Sequence, residues 1–397
     1  MAGRRPRNRK EQIVEAASEL FRERGYHNVS VADVTTKVDI GASALYRHFR
    51  NKNELLYAAV LTGLESLQES VDGVADLPEL LATLAAGSAE RRGLPLLWQR
   101  EARYLDAEQR TELRERLRGI TSRVADLIAA ARPELTTADC ELIGFSVLAT
   151  LSSTSAHRIV LPRRRMEALL STLSTRVAHT PLGTSETDEQ PATDGFEIPV
   201  SRREQLLAAA IRLFDERGYQ TVLTEDIGEA CGTTGPNVYN YFDAKIDLLV
   251  AAMTRGFDRR AMVVRQALAG VTDARDMLDR LVRAHIDVAL ENGNLVGLMA
   301  SELNELPENT RKICTQEQRD YLHLWTRAVA GVRPGIDPTE ARITISAVLT
   351  MVANAARTPR LRRRTDLAER LAEISMAMLF DPTEVPGAAG TAAATAG

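Results

Sequence analysis

Two short stretches carry side chains suited to reading a nucleic acid. Ala42-Ser43-Ala44-Leu45-Tyr46-Arg47-His48 sets small residues, a hydroxyl, rings and a guanidinium side by side. Thr234-Gly235-Pro236-Asn237-Val238-Tyr239-Asn240-Tyr241 sets a hydroxyl, two amides and two phenols side by side. A short helix that enters a major groove brings the small residues of its N-terminal end to the base edges. Ala42 and Ala44 suit a thymine methyl, and Ser43 gives or accepts a hydrogen bond. Arg47 suits a guanine edge or a phosphate, and Asn237 and Asn240 each suit an adenine edge.

The elements that must hold these residues occur twice. Residues 11–56 align without a gap on residues 204–249, with 17 identities in 46 positions. Such a repeat implies one local fold made twice. Each copy opens with a capping pattern, Asn8-Arg9-Lys10-Glu11 and Ser201-Arg202-Arg203-Glu204, just after Pro6 and Pro199. Ile13, Ala16, Ala17, Leu20 and Phe21 then mark one helical face, as do Leu206, Ala209, Ala210, Leu213 and Phe214. Gly25 and Gly218 end these helices. A second helix starts at Ser30-Val31-Ala32-Asp33 and at Thr224-Glu225-Asp226-Ile227. Turns follow at Asp39-Ile40-Gly41 and at Gly232, then the short reading helix, then a fourth helix opened by Lys52 or Lys245. Pro236 is tolerable because it falls in a first turn.

This arrangement resembles the TetR family of bacterial transcriptional regulators. The resemblance covers about 48 residues of each half and is carried by helix one, Leu-Tyr-Arg-His-Phe or Val-Tyr-Asn-Tyr-Phe, and the following Lys and paired Leu. Among tandem fusions of such units, the chain looks like an actinobacterial subgroup that includes a mycobacterial repressor of a mammalian-cell-entry operon. The resemblance implies that Tyr46, His48 and Lys52, and Tyr239, Tyr241 and Lys245, contact phosphates. Ser30, Thr224 and Thr234 are counted with the DNA-contacting residues. It also implies a larger helical domain in each unit that senses a small molecule and pairs through its last two helices. The family favours Ala-Gly-Val at the turn, whereas this chain has Val38-Asp39-Ile40 and Cys231-Gly232-Thr233. Asp39 enters the left-handed conformation less readily than glycine and adds a negative charge beside DNA. Core packing is the plain alternative for the Tyr and Phe residues of both motifs, and is the reading for Phe49 and Phe242.

The two copies differ in charge. Residues 1–56 hold eleven Lys and Arg against seven Asp and Glu, net +4. Residues 194–249 hold five against ten, net −5. Only the first is preceded by a basic arm, with Arg4, Arg5 and Arg7. Such an arm follows a DNA backbone or enters a minor groove, or else serves as a solubilising tail. The whole chain carries −4, so contact with nucleic acid must come from local patches.

The rest of the chain reads as helix, and the fold class as all-α. The expected divisions are 1–56 (first reader with its arm), 57–179 (first helical domain) and 180–200 (polar linker). Then come 201–249 (second reader), 250–381 (second helical domain) and 382–397 (disordered tail). Helices within 138–179 and 338–381 are expected to pack together as an intramolecular pseudo-dimer. Arg163-Arg164-Arg165 and Arg362-Arg363-Arg364 read either as solvated loops or as phosphate sites for a nucleotide-bearing ligand. Candidate pocket residues are Trp98, Tyr104, Phe145 and His157 in the first domain, and Met299, Tyr321, Trp325 and Asn354 in the second. Such residues are more often core than ligand contacts. An apolar effector, fatty acyl or sterol-derived, free or as a coenzyme A thioester, fits such a lining.

The six histidines and three cysteines are scattered, with no metal spacing, disulfide framework or Gly-rich phosphate loop. No cofactor, metal or catalytic set is expected, and no membrane-spanning segment. A cytoplasmic, ligand-responsive repressor of a non-palindromic DNA operator is the leading expectation. In one alternative only the first unit binds DNA and the second senses and pairs. In another the chain is a lipid-binding carrier or enzyme with decayed DNA modules.

Overall fold

The computed structural model describes residues 9–90, 97–183 and 201–380; these are helices and their connections, with no β-strand. Arg4, Arg5, Arg7, Asn8, the linker from residue 184 to 200 and the tail from 381 lie outside the described residues.

The first unit contains α1 (Arg9–Arg24), α2 (Val31–Lys37), α3 (Ala42–Tyr46), α4 (Lys52–Asp72), α5 (Leu77–Glu90), α6 (Ala107–Ala131), α7 (Thr137–Ser152) and α8 (Arg163–Ala178). The second contains α9 (Arg202–Arg217), α10 (Thr224–Ala230), α11 (Gly235–Val238), α12 (Lys245–Ala267), α13 (Ala274–Glu291), α14 (Gly293–Ser301), α15 (Glu308–Val332), α16 (Pro338–Ala356) and α17 (Leu367–Leu379). The reader is α1–α3 in one and α9–α11 in the other. Helices α4 and α12 start in the reader and continue without a break into the bundle, well past residues 56 and 249.

The apolar faces of α1 and α9 are buried as their spacing predicts. Gly25 and Gly218 stop both helices at φ +80° and +81°, a region where a side chain is strained. Ser201 caps α9, its hydroxyl accepting from the Glu204 N–H. The expected reciprocal bond does not form: the Glu204 carboxylate is taken by the Arg255 guanidinium at 2.7 and 2.8 Å. A charged fork outcompetes a neutral backbone donor.

The two bundles pack against each other through α7 on α16 and α8 on α17, with the 3-10 turn Ser153–Ser155 also against α16. Thr150 on α7 meets the Met378 sulfur at 3.8 Å, and Arg176 on α8 donates to the Met378 carbonyl at 3.2 Å. One apolar core runs from the first reader through the first bundle and across this seam into the second. The second reader has a core of its own, shared with α12 and α14.

Ion pairs cross the seam in both directions. Arg364, just before α17, reaches Asp139 on α7 at 2.7 Å. Arg165 on α8 reaches Asp337 at 3.2 Å and Glu340 at 2.7 Å, at the start of α16. The two are related as the units are, yet their surroundings differ. Arg364 and Asp139 are 7% and 9% exposed, and Arg364 also holds Asp366, which binds Arg370. Arg165 is 49% exposed. Each arginine cluster therefore spends one guanidinium on a carboxylate of the other unit, which displaces the phosphate reading for Arg165 and Arg364.

Candidate nucleic-acid interface

Each reader is built around two cation–ring contacts at matching positions. Lys52 Nζ lies 4.1 Å from the centre of the Tyr26 ring, and Lys245 Nζ 4.3 Å from that of Tyr219. Lys10 covers Phe49 at 5.8 Å, and Arg203 covers Phe242 at 4.5 Å. Phe49 and Phe242 are buried, as expected. Each ring thus meets a cation of its reader's first helix, Lys10 on α1 and Arg203 on α9.

The turn before each reading helix needs a left-handed residue. Asp39 takes φ +52°, the single positive φ outside glycine among the described residues. Gly232, at the matching position, takes +65°. Ser30 caps α2, accepting from the Asp33 N–H at 3.2 Å while the Ser30 N–H donates back to the Asp33 carboxylate at 2.7 Å. The matching residue in the second reader is Leu223, whose N–H donates to Asp226 at 2.7 Å and whose side chain is left exposed.

On α3 the residues Ala42, Ser43 and Tyr46 are exposed, as are Arg47 and His48 just after it, while Ala44 is half-buried and Leu45 points into the core. In the second reader Thr234, Asn237, Tyr239, Asn240 and Tyr241 are exposed and Val238 is buried. Tyr46, Tyr239 and Tyr241 are unusually open for tyrosines, at 52%, 49% and 43%. The two asparagines form a chain: Asn240 Nδ2 donates to Asn237 Oδ1 at 3.4 Å, and Asn237 Nδ2 to Thr233 Oγ1 at 3.0 Å.

Three sequence expectations need correction here. Thr224 is buried, and its hydroxyl meets the Tyr239 hydroxyl at 3.2 Å, so it braces a reading residue and has no free face for a phosphate. Lys52 and Lys245 turn inward. Lys52 Nζ donates to the Tyr26 and Val29 carbonyls at 2.8 and 2.9 Å, and Lys245 Nζ to those of Tyr219 and Val222 at 2.9 and 3.0 Å. Burial pulls both ammonium groups down from their ordinary pKa. Their first duty is to tie the loop between the first two helices to the fourth.

The proposed pocket residues are dispersed. Tyr321 and Trp325 meet edge to face at 6.1 Å inside the second bundle, where Tyr321 Oη also bonds His285 Nδ1 at 3.1 Å. Burial lowers His285 to about 4 and raises Tyr321 to about 12. Arg260 lies over the Tyr321 ring at 4.3 Å and donates to Gln318 at 2.7 Å. Neither His285 nor Arg260 was picked out from the sequence. The available signal was a charge on an apolar stripe, Met253, Gly256, Phe257, Arg260 and Val264. Met299 belongs to the core of the second reader, with its sulfur against Gly256, and so is apart from Tyr321 and Trp325. Asn354 is half-buried, and its carbonyl accepts from Thr358 at 2.8 Å. Trp98 and Phe145 pack on the first core, and His157 Nδ1 accepts from the Ile159 N–H at 3.2 Å. Tyr104 is turned toward the first reader. It stacks on Tyr26 of the first reader at 5.5 Å and 19°.

Two segments with this geometry, residues 13–59 and 206–252, match the model for bacterial regulatory proteins of the tetR family. Residues 271–357 match the tetracyclin repressor-like C-terminal domain. The transcriptional repressor KstR2 of Rhodococcus jostii is 30% identical over 148 residues, 36% of this chain and 72% of that protein. The chain belongs to the TetR family. It is a DNA-binding transcriptional regulator of the ligand-responsive type, with the TetR reader present twice in one polypeptide. The transcriptional activator FasR of Mycolicibacterium smegmatis is 38% identical over 86 residues, 22% of this chain and 39% of its own length. A fatty acid metabolism regulator of Bacillus subtilis is 28% identical over 119 residues, 27% of this chain and 60% of its own. A TetR-family structure from Bordetella parapertussis aligns over 44% of this chain and 93% of its own, at 23% identity and TM-score 0.39. No helix among the described residues of this TetR chain is long and apolar enough to cross a membrane.

Proposed function

We propose that this chain is a repressor whose two readers grip one DNA duplex in successive major grooves, and that a small lipid-derived effector releases it. The observation that carries this is the exposed, dissimilar pair of reading surfaces held by one internally paired body. One offers Ala42, Ser43 and Arg47, and the other Asn237, Asn240 and Tyr241. Symmetry in a site mirrors symmetry in its reader, so the operator is not a palindrome. The division into readers at 1–56 and 201–249 and sensing domains at 57–179 and 250–381 follows this reading. So does a cytoplasmic location, where a bacterial regulator meets its DNA.

Similarity to a fatty acid metabolism regulator favours a fatty acyl effector; a sterol-derived effector and a coenzyme A thioester stay within the proposal. Of the candidates, Tyr321 and Trp325 come together with His285 and Arg260 inside the second bundle, which makes that bundle our choice for the effector. The relatives regulate transcription, which favours a regulator over an enzyme or a carrier. Footprinting on the chain's own promoter, with and without long-chain acyl-coenzyme A, tests the proposal. Two unlike half-sites, protected together and released by the ligand, are expected; protection of one half-site alone would sink it.

A second reading, in which only the first reader binds DNA, draws on charge. The second reader exposes Leu223 where the first has Ser30, and Glu225 and Glu229 on α10 where the first has Ala32 and Thr36. The same footprint separates the two readings.

A further inference from the structure

The geometry points to the turn Glu101–Tyr104 of the first unit as the positioning element that fixes the spacing and angle between the two readers. It rests on the reading that both readers grip one duplex.

This turn follows a π-helical turn, Leu97–Glu101, and holds the first reader by four contacts. The buried Glu101 carboxylate accepts from the Tyr26 N–H at 3.0 Å. The Tyr104 carbonyl accepts from Asn53 Nδ2 at 2.8 Å. The Tyr104 ring stacks on Tyr26 and meets His27 edge-on at 4.3 Å.

The same residues hold the second unit. Arg103 pairs with Glu302 at 2.5 Å, with side chains 10% and 3% exposed, and its other nitrogen reaches Ser301 at 3.4 Å. Glu302 closes α14, which packs on α9 of the second reader. Arg103 also draws on Asp215 of α9, a buried carboxylate bonded to Arg357 at 2.8 Å. Arg103 further donates to the Tyr104 hydroxyl at 3.0 Å, which fixes that ring. The ring then lies so close to Gly218, the end of α9, that a methyl there would be 2.6 Å from it. Glycine is needed at that position for space as well as for φ.

Within four consecutive residues, Glu101 and Tyr104 thus touch the first helix-to-helix loop of one reader, Tyr104 the end of the first helix of the other, and Arg103 the helix that packs on it. Each added base pair moves a half-site by about 3.4 Å and turns it by about a tenth of a helical turn. A junction locked by a buried ion pair and a stacked ring cannot follow such a change. Breaking one partner of a buried pair leaves an uncompensated charge, and the lock loosens.

The test uses the full chain and duplexes carrying the two footprinted half-sites at the native spacing or with one to three base pairs added or removed. Proteins are wild type, Arg103→Met, Glu302→Gln, the exchange Arg103→Glu with Glu302→Arg, and Tyr104→Phe as a mild variant in case the others fold poorly. Wild type should prefer the native spacing by about tenfold or more. The single variants should cut that preference to about threefold or less while binding an isolated first half-site as wild type does, and the exchange should recover part of it. Tyr104→Phe should lower the preference by a smaller factor. An unchanged preference in every variant, or an equal loss of affinity on all duplexes including the isolated half-site, would overturn the inference alone. A wild type indifferent to spacing would overturn it together with the two-reader proposal.

Discussion

Lys52 is bonded to the backbone of Tyr26 and lies over its ring, and Lys245 repeats this on Tyr219. The two lysines stand 193 positions apart in readers of opposite net charge, yet their bond lengths agree within 0.1 Å. Replacing either by methionine removes two charge-assisted bonds and leaves two carbonyls without a donor. A loss of about 1.5–3 kcal/mol per site is expected, similar in the two readers. Chemical denaturation of each variant checks it; a loss at Lys52 alone would show that the matching geometry is not matched in energy.

The salt dependence of DNA binding should concentrate in the first reader. Deleting residues 1–7, or changing Arg47 to Ala, should flatten the slope of log affinity against log salt by about one unit per lost phosphate contact. Asn240→Ala should leave the slope unchanged and relax base preference at one position. Matched titrations at several salt concentrations decide it.

Asp39 and Gly232 share a left-handed position but not its cost. Nothing lies within 4 Å of where a Cβ at Gly232 would stand, so Gly232→Ala meets only the backbone penalty. About 1 kcal/mol of destabilisation is expected. Asp39→Gly should be neutral or stabilising by up to about 1 kcal/mol, since relief of strain offsets a freer unfolded chain. Thermal melts of both variants compare them.

The seam should be unequal on its two sides. Arg364→Met leaves Asp366 to Arg370 alone and Asp139 with Thr136 and a longer contact to Arg370, and should cost about 2–3 kcal/mol, whereas Arg165→Met breaks an exposed pair and should cost under about 1 kcal/mol. Paired with Arg364 and Arg370, Asp366 has its pKa depressed despite burial. A depressed carboxylate contributes stability that is present above its unfolded pKa, near 4, and is lost as pH falls through the lower folded value. Acid should therefore open the seam only below about pH 4. Denaturation midpoints from pH 3 to 7 for wild type and Arg364→Met give the comparison.

Asp215 has the opposite sign. Burial outweighs the nearby Arg357 and Arg103 and raises it to about 6. The folded state then favours the protonated acid, so its contribution is full below about pH 4 and is lost as pH rises through about 6. Between pH 7.5 and 5, wild type should gain stability relative to Asp215→Asn. A constant difference across that range would refute this.

Much of this molecule was legible in its sequence because the readers are local. Apolar spacing in α1 and α9, the glycines that end them and the buried Phe49 and Phe242 depend on neighbours within one short segment. The seam was legible only as a pairing of long apolar helices, because Arg364 and Asp139 stand 225 positions apart. The neighbours of Tyr104 were hidden for the same reason. A tyrosine in a helical bundle reads as pocket or core, and its neighbours Tyr26 and Gly218 come from two different readers. A faint signal existed, since Glu101 and Leu105 before α6 recur as Glu302 and Leu306 before α15, all four buried. The lysines misled because a charge four to six residues after an exposed tyrosine serves a carbonyl as well as it serves a phosphate.

The seam joins two halves that the linker never lets part. In a regulator assembled from separate subunits, the paired form rises with the square of subunit concentration, and at low copy number most subunits are single. Here pairing is a unimolecular event at a fixed effective concentration, so dilution cannot undo it. Occupancy of an operator should then follow the number of chains in direct proportion. A cell holding only a few copies keeps every one of them paired.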